Sequence, residues 1–304
     1  MPVFHCEYIW LNFQIQKEYT LNVNEKGIIV DICSGAGNVE LLPGLTIPGL
    51  VNTHCHLELS HLQGKIELGE GMTSFLGKII ELKKQIPYSA YAQKRAMEEM
   101  LRNGIVAVAD VSNEGNSFIL KKQFPNLYVH TFIELLGLNP QKVEQVIQRG
   151  IELLQLATAY YELSASLTPH AFYSVSIPLL QAIHRISDYM SIHLMESFAE
   201  QELFATRTGD FINFFSQLGL GEYVEDYRVG LIEKIIPQIL DSNKKILWVH
   251  NTVLRPSQIQ LLAEVFPKSY FCLCPLSNLY INQILPPAEI FDWDRVTLGT
   301  DSLA

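Results

Sequence analysis

Hydrophobic and polar positions keep two different rhythms along this chain. Over the first 45 residues they form short runs broken by turns. EYIWLNFQI and KEYTLNV carry strand formers, NEKG marks a turn, and GIIVDI is a third run. After SGAGN, short β-rich runs alternate with longer segments whose apolar residues recur near a 3.6-residue period. The β-rich runs cover 45–53, 104–112, 127–135, 162–170, 190–196, 246–252, 270–278 and 296–302. Helical patterns such as FLGKIIELKKQI, AQKRAMEEMLRN and PQKVEQVIQRGIELLQLA lie between them. Strand then helix, eight times over, predicts an α/β fold: a (β/α)8 TIM barrel over 46–304, preceded by a short β segment over 1–45. An open doubly wound sheet is the runner-up, weakened because no Gly-rich phosphate turn follows an early strand. The connection 197–245 is long enough for an extra helix or a lid over the barrel mouth.

In a parallel barrel the chemistry sits where strand C-termini open into loops. Here His54 and His56 end the first expected barrel strand, His193 the fifth, His250 the sixth and Asp301 the eighth. Residues two apart on a strand face the same way, so His54 and His56 can grip one ion while Cys55 points outward. A lone His-x-His is weak evidence, and two histidines hydrogen-bonded in a polar barrel end are its bland alternative; further polar residues at the same rim weigh against that. Asp301 is the natural anionic ligand and proton acceptor, or else a helix cap. Glu196, three positions after His193, either shuttles protons over the metal or is the first-turn acid of the next helix. His250 is a hydrogen-bond donor to the attacking oxygen or a core histidine. Three imidazoles and a carboxylate, His54, His56, His193 and Asp301, suit one divalent ion: Zn²⁺, with Fe²⁺ or Mn²⁺ as alternatives. Such an ion lowers the pKa of a water to about 7, so a metal-bound hydroxide becomes the nucleophile, with Asp301 taking its proton, Glu196 delivering one and His250 stabilising the oxyanion.

Bulk properties exclude several other classes. The formal charge is −10 with no basic run to offset it, so nucleic acid is not an expected partner and a small molecule is. Five cysteines lack a disulfide-framework spacing, the N-terminus shows no signal peptide, and no apolar stretch approaches a membrane span. The simplest reading is a cytoplasmic protein with no membrane partner; a homodimer is left open.

At these residues the sequence resembles the amidohydrolase superfamily along nearly its whole length. PGLVNTHCHLELS looks like the superfamily's strand-one signature, SIHLMES its His-x-x-Glu segment, VHN its strand-six histidine and LGTDS its strand-eight aspartate. Within it, the set resembles the branch of cytosine and guanine deaminases and triazine hydrolases, and HLELSHL with CPLSNLYI looks most like the aminofutalosine-deaminase-like group. The resemblance implies deamination of an adenine-type nucleoside such as aminodeoxyfutalosine, with Glu58, His61, His170 and Asn278 as substrate contacts. It also implies one metal, since no lysine ends strand four. Residues 1–45 would be part of an incomplete small β-sandwich, and the barrel would lack its final helix. Two alternatives stand beside this: a cyclic amide or chlorotriazine hydrolase on the same site, and a non-catalytic binding barrel.

Overall fold

The computed structural model describes residues 2–35, 39–224 and 229–302. The chain divides into one unit ending at Leu50 and a second beginning at Val51.

The first unit is a four-stranded sheet of β1 (Val3–Leu11), β2 (Gln14–Val23), β3 (Ile29–Ser34) and β4 (Glu40–Thr46), in the order β3-β2-β1-β4. β1, β2 and β3 pair antiparallel, and β4 lies parallel to β1. Cys6, Ile9 and Leu21 are its buried apolar centre. The run EYIWLNFQI is two strands rather than one. Leu11 pairs with Gln14 across Asn12 and Phe13, both at positive φ (53° and 61°), as a two-residue hairpin turn of the right twist requires.

The second unit is built on eight further strands: β5 (Leu50–Cys55), β6 (Ile105–Ser112), β7 (Tyr128–Leu135), β8 (Ser164–Pro169), β9 (Tyr189–Leu194), β10 (Lys245–His250), β11 (Tyr270–Leu273) and β12 (Val296–Leu298). They pair in the orders β5-β6-β7-β8 and β9-β10-β11-β12. Parallel bridges between Ala171 and His193 and between Cys55 and Asp301 join these two halves, so the eight strands close on themselves. The expected (β/α)8 barrel is therefore the observed architecture.

Three expected strands differ by more than two residues at one end, the eighth stopping at Leu298 rather than running through Asp301. The first starts at Leu50, because Pro48 and Gly49 separate it from β4. The seventh stops at Leu273, and Pro275–Asn282 is a helix; proline at its first turn has its φ already set and no N–H to waste.

The helices are α1 (Met72–Gln85), α2 (Ala90–Arg102), α3 (Phe118–Lys122), α4 (Val143–Gln155), α5 (Ile177–Ile186), α6 (Phe198–Thr206), α7 (Asp210–Gln217), α8 (Ile236–Ile239), α9 (Pro256–Val265) and α10 (Pro275–Asn282). Serine side chains start three of them: Ser89, Ser176 and Ser197 accept from the backbone N–H of Ala92, Leu179 and Glu200. The long connection after β9 holds α6, α7 and α8; residues 225–228 within it lie outside the described residues. Trp248, Phe118, Phe211 and Phe266 anchor the main apolar core of this unit. No helix among the described residues is long and apolar enough to cross a membrane.

Candidate metal centre

Strand alternation at the end of β5 turns His54 and His56 to one side and Cys55 to the other. Cys55 Sγ lies 3.7 Å from Asp110 Oδ1, and burial first, then the Asp110 charge, pushes its thiol well up and out of reactive range. The two imidazoles face each other with Nε2 atoms 3.2 Å apart. Asp301 Oδ1 stands 3.5 Å from the first and 3.3 Å from the second. His193, from β9, brings its ring centroid to 4.8 Å from that of His54 and 5.6 Å from that of His56. One ligand atom from each of these four residues lies within 4.8 Å of the others.

Burial holds His54 below the ordinary histidine range, and burial with the surrounding imidazoles holds His193 well below it. Both rings are therefore neutral, with lone pairs to offer. His193 Nδ1 is 2.8 Å from the carbonyl oxygen of His170. A carbonyl only accepts, so Nδ1 carries the proton and Nε2 keeps its lone pair. Burial would raise the Asp301 carboxyl, but the His54 hydrogen bond and the facing imidazoles outweigh it and hold the group well below the carboxylate range. Ser277 donates its hydroxyl to Asp301 Oδ2.

The donor set fits a single divalent ion. Bonds of about 2.1 Å in tetrahedral geometry imply ligand-to-ligand edges of about 3.4 Å. The three edges among His54, His56 and Asp301, at 3.2, 3.3 and 3.5 Å, bracket that value, and His193 completes the set within 4.8 Å.

Beside this cluster stand two further buried groups. Glu196, just past β9, has Oε2 3.4 Å from His250 Nε2. Burial, then the charges of Asp301 and Glu200, push Glu196 well above the carboxylate range. Burial pushes His250 down to about 4. Burial thus moves the two groups in opposite directions, each toward its neutral form. Asn278 Oδ1 lies 3.4 Å from His250 Nδ1, while the Asn278 amide donates to Thr252. That places the ring proton on Nδ1 and leaves Nε2 as the acceptor facing Glu196.

Four non-glycine residues at this rim, Met195, His250, Asn251 and Asp301, have positive φ (49°, 72°, 59° and 60°). Side chains rarely adopt that region without surrounding structure to hold them. Gly299 meets a different demand. A Cβ there would lie 2.8 Å from His54 Cβ and 2.9 Å from Cys272 Sγ, so the approach of the Asp301 loop to β5 requires glycine.

The structure brings together His54, His56, His193, Asp301, Glu196 and His250. His170 stacks at 4.6 Å from His193, with Nδ1 bonded to Ser174, and Asn278 stands behind His250. Glu58 is committed elsewhere: it accepts from Ser112 Oγ at 2.6 Å and from the backbone N–H of Asn113 and Glu114 at 2.8 and 3.1 Å. His61 packs 6.3 Å from the Tyr88 ring, and no described contact joins it to the cluster. Sequence reasoning missed Glu134, a buried carboxyl at the end of β7 grouped with His170 and His193; the strand-end rule that singled out the other residues applies to it equally. It also missed Lys121, whose Nζ is 2.5 Å from Asp110 Oδ2 with both side chains fully buried.

Comparison with known proteins places these residues in a wider setting. The family model described as the amidohydrolase family matches residues 45–304. The chain is 23% identical over 271 residues to an aminodeoxyfutalosine deaminase of a Nitratiruptor species, covering 86% of this chain and 64% of that one. It is 24% identical over 302 residues to a 5'-deoxyadenosine deaminase of Methanococcus aeolicus, covering 94% and 62%. The chain thus spans less than two thirds of the length of these relatives. Among solved structures, Helicobacter pylori aminofutalosine deaminase in complex with methylthio-coformycin superposes with a TM-score of 0.84 at 21% identity, over 100% of this chain and 77% of that one.

Proposed function

The chain belongs to the amidohydrolase family, and from that premise we propose that it hydrolyses a carbon–nitrogen bond, removing the amino group of an amino-substituted heterocycle. In its narrower form the substrate is an adenine-type nucleoside such as aminodeoxyfutalosine, the reading supported by the names of the two relatives above. Residues 46–304 carry the chemistry, and residues 1–45 form part of a small β-sandwich. The setting we infer is cytoplasmic.

The observation that carries the reading is the buried Glu196 carboxyl held 3.4 Å from His250 beside the His54, His56, His193 and Asp301 cluster. A ring amine is a poor leaving group until the ring and then the amine are protonated, so deamination needs a proton donor in a dry pocket. A divalent ion in the cluster, zinc by its donor set, supplies a water acidified enough to attack at neutral pH. Asp301 takes the proton of the attacking water. Glu196 gives its proton to the ring nitrogen next to the reacting carbon, which makes that carbon electrophilic. The proton gathered by Asp301 then passes to the departing amine, which leaves as ammonia; the hydroxyl proton of the adduct returns to Glu196, and the ring nitrogen keeps the proton Glu196 gave. His250 lines the same pocket and holds the Glu196 carboxyl in place through Nε2. The balance is substrate amine plus water giving the oxo heterocycle plus ammonia.

The test is ammonia release from the zinc-loaded protein with aminodeoxyfutalosine, 5'-deoxyadenosine, adenosine, S-adenosylhomocysteine, adenine, guanine and cytosine. Preference for a nucleoside is expected. Guanine or cytosine winning by orders of magnitude removes the nucleoside assignment and leaves deamination. Turnover of only a cyclic amide or chlorotriazine removes deamination as well.

A further inference from the structure

Glu134 is 5% exposed, and its two carboxylate oxygens have different surroundings. Oε2 accepts from Asn113 Nδ2 at 2.9 Å, and the same amide donates to the Glu134 carbonyl at 3.2 Å. Asn113 is in turn fixed through its backbone N–H, which donates to Glu58 at 2.8 Å. Oε1 is shut away from solvent with no hydrogen-bond partner. His193 Nδ1 lies 3.8 Å from it, its N–H already donated to the His170 carbonyl. An unpaired buried carboxylate oxygen is costly, and one held rigidly by a three-residue relay calls for a compensating positive charge.

Resting on the metal centre proposed above, we propose that Glu134 is a positioning residue of that centre, acting through His193 as the second counter-charge to the divalent ion. Asp301 neutralises one of the ion's two charges, and neutral imidazoles neutralise none. An ion held at Nε2 would place positive charge on the His193 ring, and Glu134 Oε1 lies 3.8 Å from the Nδ1 side of that ring. Because Oε1 is closed to solvent, its role is to stabilise that charge and raise the basicity of His193 as a ligand rather than to bind substrate, while the His170 carbonyl orients the ring. The relay Glu58–Asn113–Glu134 gives Glu58 a structural place as the anchor of that carboxylate.

The experiment measures zinc affinity by competition with a chromophoric chelator, together with the absorption spectrum of the cobalt-substituted protein. The proteins are the wild type, Glu134→Gln, Glu134→Asp and Asn113→Ala. Glu134→Gln is expected to weaken zinc binding by about 10–100-fold and to shift the cobalt spectrum. Glu134→Asp, which keeps the charge, is expected to restore part of the affinity. If Glu134→Gln does not fold, Asn113→Ala decides, because it frees the carboxylate from its relay and should weaken zinc in the same direction. Zinc affinity within about twofold of wild type and an unchanged cobalt spectrum in the decisive variant overturn the proposal while leaving the metal centre standing. A wild type that binds no zinc overturns both.

Discussion

Nε2 of His250 lies 3.4 Å from Oε2 of Glu196, and neither side chain is more than 2% exposed. Burial pushes the two groups in opposite directions, the carboxyl up and the imidazole down to about 4, which suits Glu196 to deliver a proton. Replacing Glu196 by glutamine keeps the shape and removes the proton. Glu196→Gln is therefore expected to retain bound metal and lose turnover by about 10²–10⁴-fold, as single-turnover kinetics with metal analysis will read. Wild-type rates would reduce Glu196 to a helix-start acid.

Zinc added to chelator-treated protein is expected to raise the melting temperature. An ion present at one hundred times its dissociation constant stabilises by about 2.7 kcal/mol. The double variant His54→Ala/His56→Ala should lose both the shift and stoichiometric metal, read by thermal unfolding and elemental analysis. Stoichiometric zinc in that variant would sink the ligand assignment.

Lys121 and Asp110 form a fully buried pair behind the metal-bearing strand, where Asp110 Oδ1 also accepts from the Leu57 N–H at 2.7 Å. Lys121→Met leaves that carboxylate without its cation and is expected to cost about 3–5 kcal/mol in chemical denaturation. Adding Asp110→Leu to it should recover part of the loss, since the unpaired charge disappears while the Leu57 N–H loses its acceptor. A single variant as stable as wild type would show the pair to be dispensable.

Glu200 is fully buried beneath Glu196, accepts from the Glu196 N–H at 2.8 Å, and is pushed up to about 7, mainly by burial. Its folded-state pKa exceeds the unfolded value of 4.5, so the folded chain holds a proton that the unfolded chain has released. Its contribution is intact below pH 4.5 and is lost as pH rises to about 7, up to about 3 kcal/mol in total. Glu200→Gln is expected to flatten that part of the stability–pH curve and to be the more stable protein at pH 8. Parallel curves for the two proteins between pH 4.5 and 7 would remove Glu200 as the cause.

The cluster was legible in the sequence because each member is fixed by a local rule: two histidines two apart on one strand, and a histidine or acid where another strand gives out. Those rules depend on single positions and on strand periodicity, and tertiary packing leaves them intact. They gave His54, His56, His193, His250 and Asp301 without any knowledge of their partners. What escaped depends on packing. Cys274 and Pro275 sit in an apolar run that reads as strand, and only the proline's preset geometry and the space around it decide for helix. Phe13 has no preference for positive φ, and the pairing of Leu11 with Gln14 forces it. Glu58 in HLELSHL looks like a free carboxylate, yet three donors more than fifty positions along the chain claim it. Glu134 shows the converse, an unremarked strand-end acid that packing leaves with one oxygen unpaired.

The seam between β5 and β12 has a kinetic consequence. Asn52 and Thr300 are 248 residues apart in sequence and bonded side chain to side chain at 2.8 Å, while the N–H groups of Thr300 and Asp301 both donate to the His54 carbonyl. Pairing over such a separation slows folding, because closure entropy is lost before the contacts form. During synthesis the early histidines must therefore wait, buried in nothing, until Asp301 has left the ribosome. An ion able to bind the first two imidazoles weakly, and all four ligands tightly, would reward closure at that seam. It would act as a late clasp on the nascent barrel before it could serve as a reagent.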